Sequence, residues 1–235
     1  MDKLNLVLMG KTGAGKSTLV NAVMGEDVAP IKTVTRESRV YSKKMMIPMR
    51  KDAETGLFSM VAKTVCLHDT VGLELDTNVT EKTLKDIKKL ILRAQRDEKE
   101  RDITLVWFCV NHRDSRFEEF EVELIRKLSM EYEIPFVIVV TQCLSEDKGE
   151  LEKQIESDFP ELPMVRILAQ EYRTRAGIIP AFGVEELLSG SVLDYDRRKV
   201  HILEAKLDKL MQERQEKIQY IQDKGPMHIA RKQSG

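Results

Sequence analysis

The residues Gly10-Lys11-Thr12-Gly13-Ala14-Gly15-Lys16-Ser17 have the spacing G-x-x-x-x-G-K-[ST], that of a loop which wraps phosphate groups. Each residue type has a physical reason. Gly10, Gly13 and Gly15 let the backbone turn tightly, so that several N–H groups converge on one anion. A helix opening near Lys16 adds the positive end of its dipole. The Lys16 ammonium is expected to reach the β- and γ-phosphates of a nucleotide, and the Ser17 hydroxyl to ligate Mg²⁺. The expected binding set of this stretch runs from Gly10 through Thr18. A glycine-rich turn matching by chance is the plain alternative. An apolar run before the loop and helical spacing after it argue against that.

Asp69-Thr70-Val71-Gly72 supplies the second half of such a site. A carboxylate at Asp69 can hold a magnesium-bound water, and the Gly72 N–H can meet the γ-phosphate. The D-x-x-G pattern is common by chance and gains weight from its place after a β-hairpin. His68, just before it, reads better as an imidazole packed at a strand end than as a catalytic base. Thr33 and Thr35 lie in the loop between the first helix and the second strand. Thr35 is the preferred donor of a hydroxyl to Mg²⁺ and an N–H to the γ-phosphate, with a plain polar loop as the alternative. The expected catalytic set is therefore Lys16, Thr35 and Gly72, and the expected metal set Ser17, Thr35 and Asp69.

The elements that must position these residues are legible from apolar periodicity. Leu4 to Met9 is continuously apolar, the pattern of a strand buried on both faces. Leu19, Val20, Val23 and Met24 give a helix from Lys16 to Met24, which Gly25 can end. Arg39 to Met49 and Leu57 to His68 predict an antiparallel hairpin around a turn at residues 52–56. Asn78 and Glu81 have capping-box-like spacing before a helix with Leu84, Ile87, Ile91 and Ala94 on one face. Strands follow at Ile103 to Val110, Ile134 to Val140 and Met164 to Ala169. Helices are expected after a Ser115/Glu118 cap, from about Ser145 to Asp158, and over Val184 to Leu188. Strands alternating with helices predict a doubly wound α/β sheet of six strands, mostly parallel with one antiparallel strand. Its ligand site should lie at the carboxyl ends of the strands.

Composition adds exclusions. The chain has 235 residues and a net charge of −1, so charge makes no case for nucleic-acid or membrane binding. Cys66, Cys109 and Cys143 form no CxxC pair, which argues against zinc; each lies in or at the end of a strand-like run, as buried reduced thiols of a cytoplasmic protein do. Residues 1–9 read as a first strand rather than a signal peptide, and no apolar stretch reaches the ~20 residues of a membrane span. From Val192 the pattern changes. Val200, Leu203, Leu207 and Leu210 keep heptad spacing until Arg214 and Lys217 break it. One amphipathic helix over residues 191–224 is expected, lying on the domain or serving a partner, followed by a flexible tail at 225–235.

Together GKTGAGKST, the Thr35-Arg36 pair, DTVG, LVWFCV and PFVIVVTQ resemble the Ras-like superfamily of P-loop GTPases, in particular its Era-like group, which includes ribosome-associated bacterial GTPases. The resemblance covers about residues 3–190. It implies a Ras-like P-loop GTPase domain, a Mg²⁺ cofactor, GTP and GDP as ligands, and hydrolysis that reorganises residues 26–38 and 70–80. Ribosome or nucleic-acid association would follow by family analogy alone.

Two departures stand out. The family reads its base with N/T-K-x-D after the fifth strand; here that place is Thr141-Gln142-Cys143-Leu144. Thr141 and Gln142 remain as base-side residues, with the Ala169 N–H opposite, but no aspartate is in register to pair with guanine. A lost charge-assisted hydrogen bond weakens binding by about 1.5–3 kcal/mol, roughly tenfold to over a hundredfold. Adenine therefore stays open beside guanine. Second, Leu73 follows DTVG and cannot orient water, and Gly13 stands where some relatives carry an asparagine that recruits K⁺. Slow intrinsic turnover is implied, with Arg36, Arg39, a partner or a dimer mate supplying positive charge. Arg113 and Arg116 sit in a charged loop after the fourth strand, a region where some relatives dimerise across the nucleotide face. The leading reading is a hydrolysing GTPase switch. Its rivals are a non-hydrolysing, nucleotide-dependent assembly module and a P-loop ATPase or kinase. A kinase lid is not evident; Arg173 and Arg175 form the nearest arginine pair.

Overall fold

The computed structural model describes residues 3–30, 39–51, 56–70, 105–114, 117–131, 134–145, 147–175 and 177–224. Thr33, Thr35, Arg36, Gly72, Leu73, Ser115, Arg116, the helix expected after Asn78 and the tail at 225–235 lie outside them. The chain forms two compact units, Met1–Val192 and Leu193–Gly235.

The first unit is built on a six-stranded sheet. Its strands are β1 (Lys3–Met9), β2 (Arg39–Lys51), β3 (Phe58–Asp69), β4 (Leu105–Asn111), β5 (Phe136–Thr141) and β6 (Met164–Arg166), in the order β2-β3-β1-β4-β5-β6. β2 is antiparallel to β3 and every other pairing is parallel. This is the expected mostly parallel sheet with one antiparallel edge strand. From β1 the order runs outward in both directions, which opens a crevice at the carboxyl end of β1. Register fixes what faces that crevice: Leu8 pairs with Asp69, Met9 with Phe108, Asn111 with Thr141, and Val140 with Arg166.

Helices α1 (Lys16–Met24), α2 (Glu119–Arg126) and α3 (Glu150–Asp158) follow β1, β4 and β5, and α2 continues into a π-helical turn at Lys127–Glu131. On one face of the sheet Val106, Phe108, Ile138 and Val140 pack with Leu124, Ile125 and Leu128 of α2 and its extension, and with Leu151 and Ile155 of α3. Phe108 stacks at 5.8 Å from Phe136 and 6.3 Å from Phe117. Trp107, between Val106 and Phe108, points the other way by strand alternation, and its Nε1 donates to Ser191 Oγ at 2.9 Å. That bond fixes the start of α4 (Val184–Lys224), where Leu187 and Val192 are buried.

Several local expectations are corrected. α2 is capped by Glu118 and Glu121, not by Ser115 and Glu118: the Glu118 N–H donates to Glu121 Oε2 at 3.0 Å. α3 begins at Glu150 rather than near Ser145, because the stretch before it is held as a loop by Arg166. The sixth strand stops at Arg166, short of Ala169. A short β7 (Tyr172–Thr174) and β8 (Gly177–Ile179) form a hairpin that the periodicity does not show. Three-residue strands are too short to alternate visibly. Finally, the helix expected at Val184–Leu188 is continuous with the later one, since no proline interrupts Val184–Lys224.

Candidate phosphate and base site

The loop Gly10–Gly15 leaves β1 and enters α1. Gly10 adopts φ 133°, Gly13 84° and Gly15 79°, conformations that side chains resist. Gly10 has a second constraint: a Cβ there would lie 2.2 Å from the Cys109 carbonyl oxygen of β4. Gly15 is the N-cap of α1 with no side-chain cap, so the first N–H groups of that helix are left for another acceptor.

The Lys16 side chain is buried and folds back across the loop. Its Nζ donates to the Gly10 and Lys11 carbonyls, both at 2.8 Å. Burial lowers its pKa, while the nearby Cys109 and Asp69 partly oppose that shift. Ser17 and Thr18 follow at half-buried positions in the first turn of α1. Thr12 and Gly13 are exposed, whereas Ala14 is buried. Lys11 is drawn sideways to α2: its Nζ lies 2.8 Å from Glu121 Oε2 and 5.6 Å from the centre of the Phe120 ring. Sequence reasoning missed Glu121; its only signal was the three-residue spacing from Glu118.

Asp69 ends β3 beside Leu8. It is buried, and among the described residues its Oδ1 has no hydrogen-bond partner. Burial raises its pKa, with Lys16 and Arg39 pulling the other way. Thr70 is turned back onto β1, its Oγ1 donating to the Leu8 carbonyl at 2.6 Å. His68 lies in register between Val7 and Val40, and burial depresses its pKa, the state of a packed neutral imidazole. Cys109 is buried and its thiol is pushed up to about 12, so it offers no thiolate.

On the base side, Thr141 Oγ1 is 3.0 Å from the Ala14 carbonyl and 3.1 Å from that of Val110, bridging β5, the phosphate loop and β4. Gln142 takes φ 57°, and its Nε2 donates to the Gly13 carbonyl at 3.3 Å. Thr141 and Gln142 are thus brought to the phosphate loop. Ala169 is half-buried in the segment after β6, next to Leu168, whose N–H donates to the Phe182 carbonyl. Leu144, where an aspartate would read guanine, is half-buried.

Residues 5–142 match the family described as 50S ribosome-binding GTPase. The chain belongs to that family. The GTPase is similar to the tRNA modification GTPase MnmE of Zymomonas mobilis, at 39% identity over 110 residues, 45% of this chain and 20% of that protein. It is also similar to Immune-associated nucleotide-binding protein 13 of Arabidopsis thaliana, at 25% identity over 170 residues, 71% of this chain and 45% of that protein. The chain thus spans less than half the length of these two relatives. Among solved structures it resembles Toc33 from Arabidopsis thaliana in complex with Mg²⁺ and GMPPNP, with a TM-score of 0.56 and 18% identity over 84% of this chain and 86% of that one. At that identity the likeness speaks for the fold alone, an α/β domain on a mostly parallel sheet. Among the described residues no helix is long and apolar enough to cross a membrane.

Proposed function

We propose that this GTPase domain is a Mg²⁺-dependent switch that binds and hydrolyses GTP, with slow turnover of its own. The observation that carries the reading is the pairing of a glycine-shaped loop, closed over by Lys16, with the buried Asp69 Oδ1 at the end of β3, which has no hydrogen-bond partner among the described residues. An unsatisfied buried carboxylate oxygen costs about 1–3 kcal/mol, which a ligand can recover. The residues present fit a magnesium ion: Ser17 offers a hydroxyl in the first turn of α1, and Asp69 offers a carboxylate. Thr35 belongs to the same proposed set. Bound there, the ion would neutralise charge on the phosphate oxygens.

In this reading Lys16 exchanges the Gly10 and Lys11 carbonyls for β- and γ-phosphate oxygens. The exchange replaces neutral acceptors by charged ones, a gain of roughly twofold in hydrogen-bond strength. The N–H groups from Gly13 to Thr18 take the remaining phosphate oxygens, and Gly72 contributes an N–H to the γ-phosphate. Thr141, Gln142 and Ala169 border the base. Guanine is held without an aspartate, so discrimination against adenine is reduced. Leu73 supplies nothing to orient water, and positive charge from Arg36, Arg39, a second copy or a protein partner of the 191–224 helix raises the rate. The Era-like placement rests on the motif resemblance. A cytoplasmic setting is supported by Cys66, Cys109 and Cys143, all free and buried.

The test is to bind GDP, GTP, ADP and ATP with Mg²⁺ and then follow phosphate release against protein concentration. Guanine binding with slow release is expected, and turnover per chain that rises with concentration marks activation by a second copy. Adenine binding without guanine binding would overturn the reading. Guanine binding with no release at any concentration would leave an assembly module.

A further inference from the structure

Having lost its lysine and aspartate, the loop between β5 and α3 is held by other groups, and these converge on Glu152. This side chain is fully buried in the first turn of α3. Its Oε2 accepts the Gly149 N–H at 3.0 Å, and its Oε1 accepts from His112 Nδ1 at 2.7 Å. The Arg166 Nε lies 3.4 Å from the same Oε1. Arg166 then reaches over the loop: its Nη2 donates to the Ser145 carbonyl at 2.7 Å and the Asp147 carbonyl at 2.9 Å. His112 donates its backbone N–H to the Thr141 carbonyl at 2.9 Å, and Thr141 in turn touches the phosphate loop. One carboxylate thus joins the exit of β4, the end of β6 and both ends of the loop where a base-reading aspartate would stand.

We propose that Glu152 is a positioning residue for the nucleotide base. Through Arg166 it holds Ser145 and Asp147, and directly it holds Gly149, so that the loop after β5 is kept where it borders the base. It thereby sets affinity for guanine nucleotides without touching them. The inference rests on the GTPase reading and deepens it. The energetic logic is that Arg166 has two loop carbonyls to hold only while its guanidinium is aimed. The buried carboxylate aims it by charge, at an ion-pair distance of 3.4 Å from Nε. Burial pushes the Glu152 carboxyl up, but its backbone bonds and His112 outweigh that, so it stays ionised.

Cys143 also lies in this cluster, with the candidate ligand atoms of His112, Cys143 and Glu152 all within 4.8 Å of one another. The guanidinium of Arg166 already supplies the positive charge on Glu152 Oε1, and both carboxylate oxygens are engaged. The cluster is therefore a scaffold of two hydrogen bonds and an ion pair on Glu152 rather than a metal cage.

The decisive measurement compares GDP with inorganic pyrophosphate, each with Mg²⁺, on wild type, Glu152→Gln, Arg166→Gln and the double variant. Pyrophosphate reads the phosphate loop alone. The expected result is GDP affinity lower by about tenfold or more in each single variant. Pyrophosphate affinity stays within about twofold, and the double variant is no weaker than the worse single one. Equal loss for both ligands would mean a merely structural role and overturns the proposal, as does unchanged GDP affinity. Where Glu152→Gln fails to fold, the Arg166→Gln ratio of GDP to pyrophosphate decides alone, since Arg166 is partly exposed. A wild type that binds pyrophosphate and no guanine nucleotide overturns the GTPase reading itself and this inference with it.

Discussion

At the scale of single residues, Lys16 and Asp69 carry the electrostatic costs that the proposed nucleotide and its ion would relieve. Lys16 is buried against neutral carbonyls, and among the described residues Asp69 Oδ1 has no hydrogen-bond partner. Lys16→Ala should remove phosphate binding while leaving the fold; a variant that retains GDP affinity would falsify the site assignment. Asp69→Asn removes a buried charge. It should raise the melting temperature of the free protein, by up to about 1–3 kcal/mol in stability, and lower Mg²⁺-dependent nucleotide affinity. Paired thermal melts and titrations check both signs. The pH dependence has a definite direction. The folded state holds the Asp69 proton more tightly than the unfolded chain does. This contribution is therefore fully present below the ordinary aspartate pKa and lost as pH rises through the elevated one. Melts between mildly acidic and neutral pH should show that decline in wild type and a flatter profile in Asp69→Asn. Gly10→Ala is expected to be severe, about 3 kcal/mol or more. The added methyl meets the Cys109 carbonyl and the φ of 133° resists any side chain. Denaturant titration measures it.

At the scale of elements, register does the positioning. Asp69 faces the site because it pairs with Leu8, two residues before the phosphate loop begins; a one-residue slip would turn it to the opposite face. Thr141 reaches the loop because β5 ends level with Asn111. The base-side loop tests whether the missing aspartate is a deletion of function or a different solution. Installing it, as Leu144→Asp, should strengthen GDP binding by about tenfold or more and leave ADP binding unchanged. Calorimetry with both nucleotides reads the difference. No change in GDP affinity would mean that the loop carries position 144 away from the base.

At the scale of the whole molecule, the first unit ends inside the long helix. Leu187, Leu188, Ser191 and Val192 are buried, and Ser191 accepts from Trp107. A chain ending after Val192 should fold and bind nucleotide like the full chain. One ending at Gly183 exposes those side chains and orphans the Trp107 N–H. Each fully re-exposed leucine or valine costs about 1.5–3 kcal/mol, enough to unfold a marginally stable domain. Thermal melts of the two truncations separate the cases.

Strand continuity and the α1 stripe were legible in the sequence because they rest on local periodicity. The phosphate loop was legible for the same reason: its glycines, lysine and serine are consecutive. The loss of the base-reading aspartate could also be seen, since it is a matter of identity at a position. What replaced it could not. His112 lies 40 residues before Glu152, Arg166 lies beyond α3, and Glu121 reaches Lys11 from α2 to the phosphate loop. Only the parallel pairing of β1, β4, β5 and β6 brings these groups to one end of the sheet. The short β7–β8 hairpin lay beyond periodicity too, because three-residue strands repeat too little to be read. The sequence by itself determined a consecutive run of glycines, lysine and serine suited to phosphate; the tertiary structure decided how the loop after β5 is held, because long-range side-chain contacts leave no local pattern.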